Sequence, residues 1–171
     1  MKKIFLLIYL FAVQHSFAQN NAIDSYYKNF QQKNTLGVVS LSGKMLSVLI
    51  DDKTGKEKEE LTAILNKISL LKMLSKTDLK DGNDLFNSAN AILPRTYKSI
   101  LSIDEPDRKV KCYTIEKTNG KISEFIMIAW QWGRFMVLSL TGDLEIKEIY
   151  RLSQGINYAN LNESHAQNII F

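Results

Sequence analysis

Residues 122–144 read ISEFIMIAWQWGRFMVLSLTGDL, and this stretch decides the fold. Phe125–Trp130 and Phe135–Leu138 are continuous apolar runs, which are typical of central strands that are covered on both faces. The connector Gln131–Arg134 is short and contains Gly133, as a hairpin turn requires. Strands that are joined by so short a turn must be antiparallel, because a parallel pair needs a long crossover.

Two further strands precede this hairpin, and they are joined by turns of the same kind. The turns are Asp104–Asp107 and Thr118–Lys121, which carry Pro, Gly, Asn or Asp at the bend. The four predicted strands are Tyr97–Ile103, Lys109–Lys117, Ile122–Gln131 and Arg134–Leu140. They indicate an antiparallel meander in the C-terminal half of the chain.

Helical periodicity dominates the N-terminal half and returns at the end of the chain. Apolar residues at spacings of three and four predict the helices Ala22–Gln32, Gly43–Ile50 (capped by Ser42), Glu57–Leu65, Leu85–Leu93 and Asp143–Gly155. Short apolar runs predict the strands Gly37–Leu41 and Ile68–Leu74. The sequence therefore predicts one α+β domain over residues 19–155, with helices packed on a mainly antiparallel sheet.

Three faces of these helices are predicted to point inward. The first carries Met45, Leu46 and Leu49, the second Leu85, Phe86, Ala89, Ile92 and Leu93, and the third Ile146, Ile149 and Leu152. Gly142-Asp143 is predicted to open the last helix, with Asp143 as its cap. Asp81-Gly82-Asn83 is predicted to be the turn that begins the helix before it.

The first 18 residues have the pattern of a secretory signal peptide. Lys2 and Lys3 precede the apolar run Ile4–Val13, and small residues precede a predicted cleavage site between Ala18 and Gln19. A membrane anchor is the alternative, but the run is shorter than the roughly 18 to 20 apolar residues that cross a bilayer. We therefore expect an exported, periplasmic protein without a membrane span after cleavage.

Removal of this segment takes away two lysines and lowers the formal net charge from +4 to +2. Such a weak charge, outside the cytoplasm, argues against a nucleic-acid partner. Residues 156–171 are polar and rich in Asn, and they are predicted to form a C-terminal tail.

Three segments carry a resemblance to a known family. Val38–Leu46 runs from a strand into a helix through Ser42, and Phe135–Leu144 runs from a strand into a helix through Gly142-Asp143. The remaining segment is Tyr97–Leu101, followed by Val110–Tyr113 and Ile122–Phe125. From about Phe30 to Leu152 the chain resembles exported Bacteroidetes proteins that carry a small domain of unknown function. The resemblance implies an exported α+β domain without an established activity or catalytic residues.

The sequence offers little for catalysis, and no cofactor is predicted. His165 lies in the predicted tail, where a catalytic base would not be held in place. Cys112 is predicted to be a buried structural residue, since free Cys is among the most buried residue types. The carboxylates of Asp104, Glu105 and Asp107 can bind Ca²⁺ in principle, but their spacing does not match an EF-hand loop and turn formation explains them.

Trp132 and Arg134 are the candidate binding residues. A large aromatic side chain at a hairpin tip, beside an arginine, is typical of interfaces and sugar-binding platforms. The alternative is that Trp132 folds back over the sheet edge or packs with Trp130.

These observations support three hypotheses about function. The leading one is a non-catalytic binding or interaction protein of the cell envelope, whose partner is another envelope protein or a small ligand. The second is a carboxylate-dependent extracytoplasmic hydrolase, which requires two close carboxylates with raised pKa values. The third is a carrier of a small apolar ligand or lipid, which requires an apolar cavity between helices and sheet.

Overall fold

A computed structural model of the protein describes residues 28–50 and 53–155. Within these residues, six strands form one antiparallel sheet, and their order in the sheet is 1-2-6-5-4-3. They are β1 Gly37–Leu41, β2 Ile68–Lys76, β3 Lys98–Asp104, β4 Arg108–Glu116, β5 Ile122–Gln131 and β6 Arg134–Leu144. The predicted meander is confirmed as β3 to β6, and the two predicted N-terminal strands extend it on the β6 side.

The helices and strands follow one another along the chain in the predicted order. They are α1 at 28–34, α2 Gly43–Leu46 with the following 3₁₀ turn Ser47–Ile50, α3 Gly55–Leu65, α4 Asn83–Ala91 and α5 Ile146–Gly155. Helix α1 belongs to a unit that ends at Thr35, whereas the sheet and the other helices belong to the unit that begins at Leu36. The α+β fold class with an antiparallel sheet is confirmed. The predicted signal peptide with its Ala18–Gln19 cleavage site, the start of the first predicted helix and the tail 156–171 lie outside the described residues.

One face of the sheet, which we call the core face, carries the main hydrophobic core. Cys112 lies opposite Met127, Met127 opposite Leu138, and Leu138 opposite Met73, so one row of side chains crosses four strands. The helices α2, α3 and α5 supply the opposing layer, with Leu46, Leu61, Ile64, Leu65, Ile149 and Leu152. Each fully buried aliphatic side chain of this kind contributes roughly 1.5–3 kcal/mol, so the core accounts for most of the favourable free energy of folding.

The opposite face of the sheet is covered by α4, and we call it the α4 face. Ile126, Ile128, Phe135 and Val137 are fully buried there. Helix α4 contacts both β5 and β6, and it buries Phe86 and Ala89. Because β5 and β6 are central strands that are covered on both faces, polar and apolar residues do not alternate along them.

The prediction that Gly142-Asp143 opens the last helix is wrong. Strand β6 continues to Leu144, because Gly142 pairs with Ile68 of β2 and Leu144 pairs with Ile122 of β5. Helix α5 begins at Ile146, and the backbone N–H of Glu145 donates to Glu148 Oε2 at 2.9 Å. Glu145 therefore takes the N-cap position that the sequence had suggested for Asp143, and the carboxylate of Glu148 caps its N–H as in half of a capping box.

Three predicted inward residues are exposed, namely Met45, Ile92 and Ile146. Each residue lies in or beside a helix whose bounds differ from the predicted ones. Helix α2 changes into a 3₁₀ turn after Leu46, α4 ends at Ala91, and α5 starts late. The cap at Ser42 is confirmed, because its Oγ accepts the backbone N–H of Met45 at 3.3 Å.

Cys112 is buried on the core face, as predicted. Burial raises the pKa of its thiol to about 11, which keeps the thiol protonated at neutral pH. The residue therefore acts as a small hydrophobic side chain of the core.

Candidate binding surface at the hairpin end

The turn between β5 and β6 consists of Trp132 and Gly133, and both have positive φ angles, 49° and 75°. Positive φ at both central residues defines the type I′ turn, whose twist matches that of the flanking strands. Asn-Gly is the preferred pair in this turn, because Asn and Gly tolerate the left-handed conformation. A bulky residue in that conformation costs roughly 1–2 kcal/mol, so Trp132 strains the turn that it forms.

Two neighbouring segments hold this turn in place. The backbone N–H of Trp132 donates to the carbonyl oxygen of Asp107, in the β3–β4 turn, at 3.4 Å. The backbone N–H of Leu79 donates to the carbonyl oxygen of Gly133 at 2.9 Å from the other side. The strained conformation is therefore fixed by its surroundings.

The side chain of Trp132 is 66% exposed, whereas that of Trp130 is buried. The interpretation in which Trp132 folds back over the sheet is therefore wrong. Trp130 packs on the α4 face against Gly82, where an added Cβ would lie only 1.9 Å from Trp130 Cδ1. The two tryptophans thus have different roles, one in the core and one on the surface.

Two arginines lie beside the exposed indole. Arg108, Gln131 and Arg134 are paired directly across β4, β5 and β6. Since neighbouring strands lie about 4.7–4.9 Å apart, the two arginine backbones are separated by about 10 Å with Gln131 between them. All three side chains are half-buried. We call Arg108, Gln131, Trp132 and Arg134 the hairpin end.

The guanidinium group of Arg108 has an unmet hydrogen-bonding capacity. Its Nε is buried and has no hydrogen-bond partner in the described part of the protein. Guanidinium groups bind carboxylates through two parallel N–H donors, and such charge-assisted bonds are about twice as strong as neutral ones. The hairpin end therefore combines an exposed aromatic side chain with two half-buried arginines, and guanidinium groups are suited to a carboxylate.

The sequence identifies half of this surface. Trp132 and Arg134 are the predicted candidates, and they lie together at the tip, although their binding role stays a prediction. Arg108 and Gln131 are missed, because Arg108 reaches the surface only through the register of β4 against β5. That register contains an irregularity between Ile115 and Glu116, which a hairpin drawn from the sequence does not predict.

The acidic turn Asp104–Asp107 lies at the same end of the sheet. Asp104 forms an ion pair with Lys109 at 3.1 Å, and the backbone N–H of Glu105 donates to the carbonyl oxygen of Arg108 at 2.8 Å. Among residues 28–50 and 53–155, no group of three or more His, Cys, Asp or Glu side chains could hold a metal ion. These contacts close the turn between β3 and β4.

A second polar cluster lies inside the α4 face, and sequence reasoning missed it. Glu124 is only 7% exposed, and its two carboxylate oxygens accept hydrogen bonds from Tyr97 Oη at 2.8 Å and Ser139 Oγ at 2.7 Å. Nearby, Tyr113 Oη donates to Asn90 Oδ1 at 2.6 Å. A Glu directly before the apolar run Phe125–Trp130, inside predicted strand β5, is the signal that would have found the cluster, since buried carboxylates need partners.

The hydrolase hypothesis requires carboxylates whose pKa values are raised. At the end of β6 the opposite holds, because hydrogen bonds from Lys117 and Lys121 lower the pKa of Asp143 to about 2. Lys147 likewise lowers the pKa of Glu145, again first through a hydrogen bond. These acids remain ionised at neutral pH, which does not suit a general acid.

The carrier hypothesis requires a cavity between helices and sheet. One groove among the described residues has a volume of about 500 Å³, and it lies on the solvent side of α3. Its lining is Gly55, Lys58, Glu59, Thr62, Ala63 and Asn66. An open groove on the outside of one helix does not provide an enclosed compartment between helices and sheet.

In the part of the chain that the structure describes, none of the helices is long and apolar enough to cross a lipid bilayer.

Comparison with known proteins identifies a family. No curated protein matches the chain, and no solved structure does. The profile of DUF4252, a domain of unknown function, matches residues 26–152, a range that includes the whole sheet and helices α1 to α4. The chain therefore belongs to the DUF4252 family.

Proposed function

We propose that this protein is an exported, non-catalytic binding protein of the cell envelope that contacts a partner protein through the hairpin end. The proposal of export rests on the signal-peptide pattern of residues 1–18, and the resemblance described above suggests a Bacteroidetes host. The proposed location is the periplasm.

The conformation and exposure of Trp132 are the observation that carries the binding proposal. The residue strains its turn and, being 66% exposed, gains little from burial in the fold. Strained residues concentrate at functional sites, where the strain is retained for a purpose other than stability. Tryptophan and arginine are also the residues most enriched among those that dominate binding energies in protein interfaces.

The chemistry of the hairpin end suggests what the partner presents to it. Arg108 forms no ion pair with a carboxylate among the described residues. A partner that places an Asp or Glu side chain against Arg108 and an apolar side chain against Trp132 would use both features. Arg134 lies close enough to contribute a second guanidinium group to the same contact.

Capture from a detergent-solubilised envelope fraction of the host tests this proposal. The immobilised protein is compared with Trp132→Ala, Arg108→Ala and Arg134→Ala, and bound proteins are quantified by mass spectrometry. We expect each variant to lose at least about nine-tenths of one specific partner, since hot-spot truncations cost roughly 2 kcal/mol or more. Tyr150→Ala is the matched control, because Tyr150 is an exposed aromatic residue on α5, away from the hairpin end.

Two results would contradict the binding proposal. Capture of every protein could be the same for wild type and for the hairpin-end variants, or Tyr150→Ala could reduce capture as much as Trp132→Ala does. A partner bound through carboxylates should also be released as salt is raised, because exposed charge pairs are screened.

Export is tested separately: mass spectrometry of protein from the periplasmic fraction should find a chain that begins at Gln19.

A further inference from the structure

The turn between β4 and β5 contains the one Asn-Gly pair of the sequence, Asn119-Gly120. Both residues are exposed, and a Cβ added to Gly120 would meet no atom within 4 Å. An asparagine that precedes glycine can react with its own backbone, because glycine has no side chain that shields its nitrogen from the neighbouring amide. This turn is therefore a place where the chain can be modified without an enzyme.

The hydrogen bonds of the turn affect such a reaction in opposite ways. The backbone N–H of Lys121 donates to Asn119 Oδ1 at 3.1 Å, so a donor already points at the oxygen that gains negative charge when Cγ is attacked. The backbone N–H of Gly120, which would supply the attacking nitrogen, donates to the carbonyl oxygen of Lys117 at 3.0 Å. The nitrogen can therefore attack only when the turn opens locally, as exposed segments do more readily than buried ones.

Two ion pairs connect the ends of this turn to β6. The ammonium groups of Lys117 and Lys121 contact the two carboxylate oxygens of Asp143 at 2.6 and 2.7 Å. We call these contacts the Asp143 ion pairs. Opening of the turn moves Lys117 away from Gly120 and so works against them. Because exposed ion pairs contribute little to stability, they should slow the opening without preventing it.

We propose that Asn119 is a site of spontaneous deamidation through a cyclic imide, and that the Asp143 ion pairs limit its rate. The Gly120 nitrogen loses its proton to solvent and bonds to Asn119 Cγ, and the side-chain nitrogen leaves as ammonia. Water then opens the imide. Cleavage of the new bond gives aspartate, whereas cleavage of the original peptide bond gives isoaspartate, in which the main chain runs through Cγ. The net reaction consumes one water molecule and releases one ammonia molecule.

The products change the turn in which they form. Either one places a negative charge between Lys117 and Lys121, where it competes with Asp143 for their ammonium groups. Isoaspartate also adds one carbon atom to a main chain that is closed by the bond from the Lys117 N–H to the Lys121 carbonyl oxygen, at 2.7 Å. Deamidation should therefore weaken the contacts that limit it. The turn lies at the opposite end of β5 from the hairpin end, and the proposal goes beyond the proposed function.

Incubation of the folded full chain at physiological temperature and pH, followed by peptide mass spectrometry, tests the proposal. We expect the peptide that contains Asn119 to accumulate aspartate and isoaspartate, which electron-transfer fragmentation distinguishes. The rate should rise with pH, because the nucleophile is the deprotonated nitrogen. Asn87, an exposed asparagine in α4 that is followed by Ser88, is the control within the same chain and should stay an amide. Asn119→Gln should abolish the modification, since a glutamine amide would have to close a larger ring.

Asp143→Asn tests the role of the ion pairs. We expect Asn119 to deamidate about two- to fivefold faster in this variant, since two exposed ion pairs are lost. Glu60→Gln is the matched control, because it removes the exposed ion pair with Arg151 on α3, away from the turn, and it should leave the rate unchanged. Circular dichroism should show that all variants stay folded during the incubation.

Three results would overturn the proposal. Asn119 could remain an amide throughout, or Asn87 could deamidate as fast as Asn119 does, in which case the turn has no special reactivity. The rate at Asn119 could also be the same in wild type and in Asp143→Asn, and the ion pairs would then not limit the reaction.

Discussion

Tyr97 and Glu124 are 27 residues apart in the chain, and their buried side chains share a hydrogen bond of 2.8 Å. The other carboxyl oxygen of Glu124 accepts a hydrogen bond from the hydroxyl of Ser139, so one buried carboxyl group is bonded to segments on both sides. Tyr97 stands just before β3, Glu124 lies in β5 and Ser139 lies in β6. The hydrogen bond between Tyr97 and Glu124 therefore connects the segment that follows α4 to the central strands of the sheet.

Removal of the Tyr97 hydroxyl tests how much this contact contributes. Tyr97→Phe keeps the ring and leaves one buried oxygen of Glu124 without its donor, which should lower the free energy of unfolding by about 1–3 kcal/mol. Urea denaturation followed by circular dichroism measures the change. Tyr150→Phe is the control, because its hydroxyl is on an exposed side chain, and it should stay within about 0.5 kcal/mol of wild type. Equal urea midpoints for Tyr97→Phe and Tyr150→Phe would show that the hydrogen bond between Tyr97 and Glu124 contributes nothing to the free energy of unfolding.

Much of the fold could be predicted because its local signals agree with its tertiary contacts. Strands β1 and β5 have the bounds that the sequence predicts, and the order of helices and strands is the predicted one. At Gly142-Asp143 the local signal and the tertiary contacts disagree. The local pattern is that of a helix cap, but pairing with β2 and β5 keeps these residues in β6. Pairing partners distant in sequence override a local propensity, and a single segment does not reveal them.

The residues of the hairpin end likewise fall into two groups, those that a local pattern reveals and those that only the pairing of distant strands reveals. Trp132 and Arg134 are adjacent to a turn that the sequence marks clearly, so they could be found from local pattern alone. Arg108 belongs to the same surface only because β4 meets β5 in one particular register. A shift of one residue would move its side chain to the other face of the sheet, so this membership depends on the three-dimensional structure.

Gly43 should not tolerate a side chain. An added Cβ at this position would lie 2.3 Å from the carbonyl oxygen of Ile68 and 2.4 Å from that of Leu65, both of which are backbone atoms. Gly43→Ala must therefore displace α2 from the sheet, and we expect a loss of about 1–3 kcal/mol in the free energy of unfolding. Gly37→Ala is the matched control, since its nearest neighbour would be 3.6 Å away. If Gly43→Ala and Gly37→Ala have the same urea midpoint, α2 does not lie as close to the backbone of Leu65 and Ile68 as the structure shows.

Asp143 should make stability depend on acid pH. Hydrogen bonds from Lys117 and Lys121, at 2.6 and 2.7 Å, lower its pKa from 3.8 to about 2 in the folded protein. A carboxyl whose folded pKa is depressed stabilises the fold above its unfolded pKa, and this contribution is lost as the pH falls through the folded pKa. Asp143→Asn should therefore be less stable than wild type at pH 7, and the difference should disappear near pH 2.

Thermal unfolding at several pH values measures this difference, and 1 M salt should reduce it at neutral pH because the group is exposed. The double variant Lys117→Met/Lys121→Met provides the control, since Asp143→Asn should have little further effect in that background. A difference between Asp143→Asn and wild type that persists unchanged from pH 7 to pH 2 would mean that these ion pairs are not its cause.

Trp132 should be replaceable with a gain in stability. Asn tolerates the left-handed conformation that Trp132 adopts, so Trp132→Asn relieves strain while removing a side chain that is 66% exposed. We expect the free energy of unfolding to rise by about 0.5–1 kcal/mol. Gly133→Ala should have the opposite effect, because φ is 75° there and an added Cβ would lie 3.2 Å from the carbonyl oxygen of Leu79. Urea denaturation of both variants measures the two changes in the free energy of unfolding, which should have opposite signs. A loss of stability in Trp132→Asn would mean that the indole supports the fold after all, and its strained conformation would then no longer argue for a binding role.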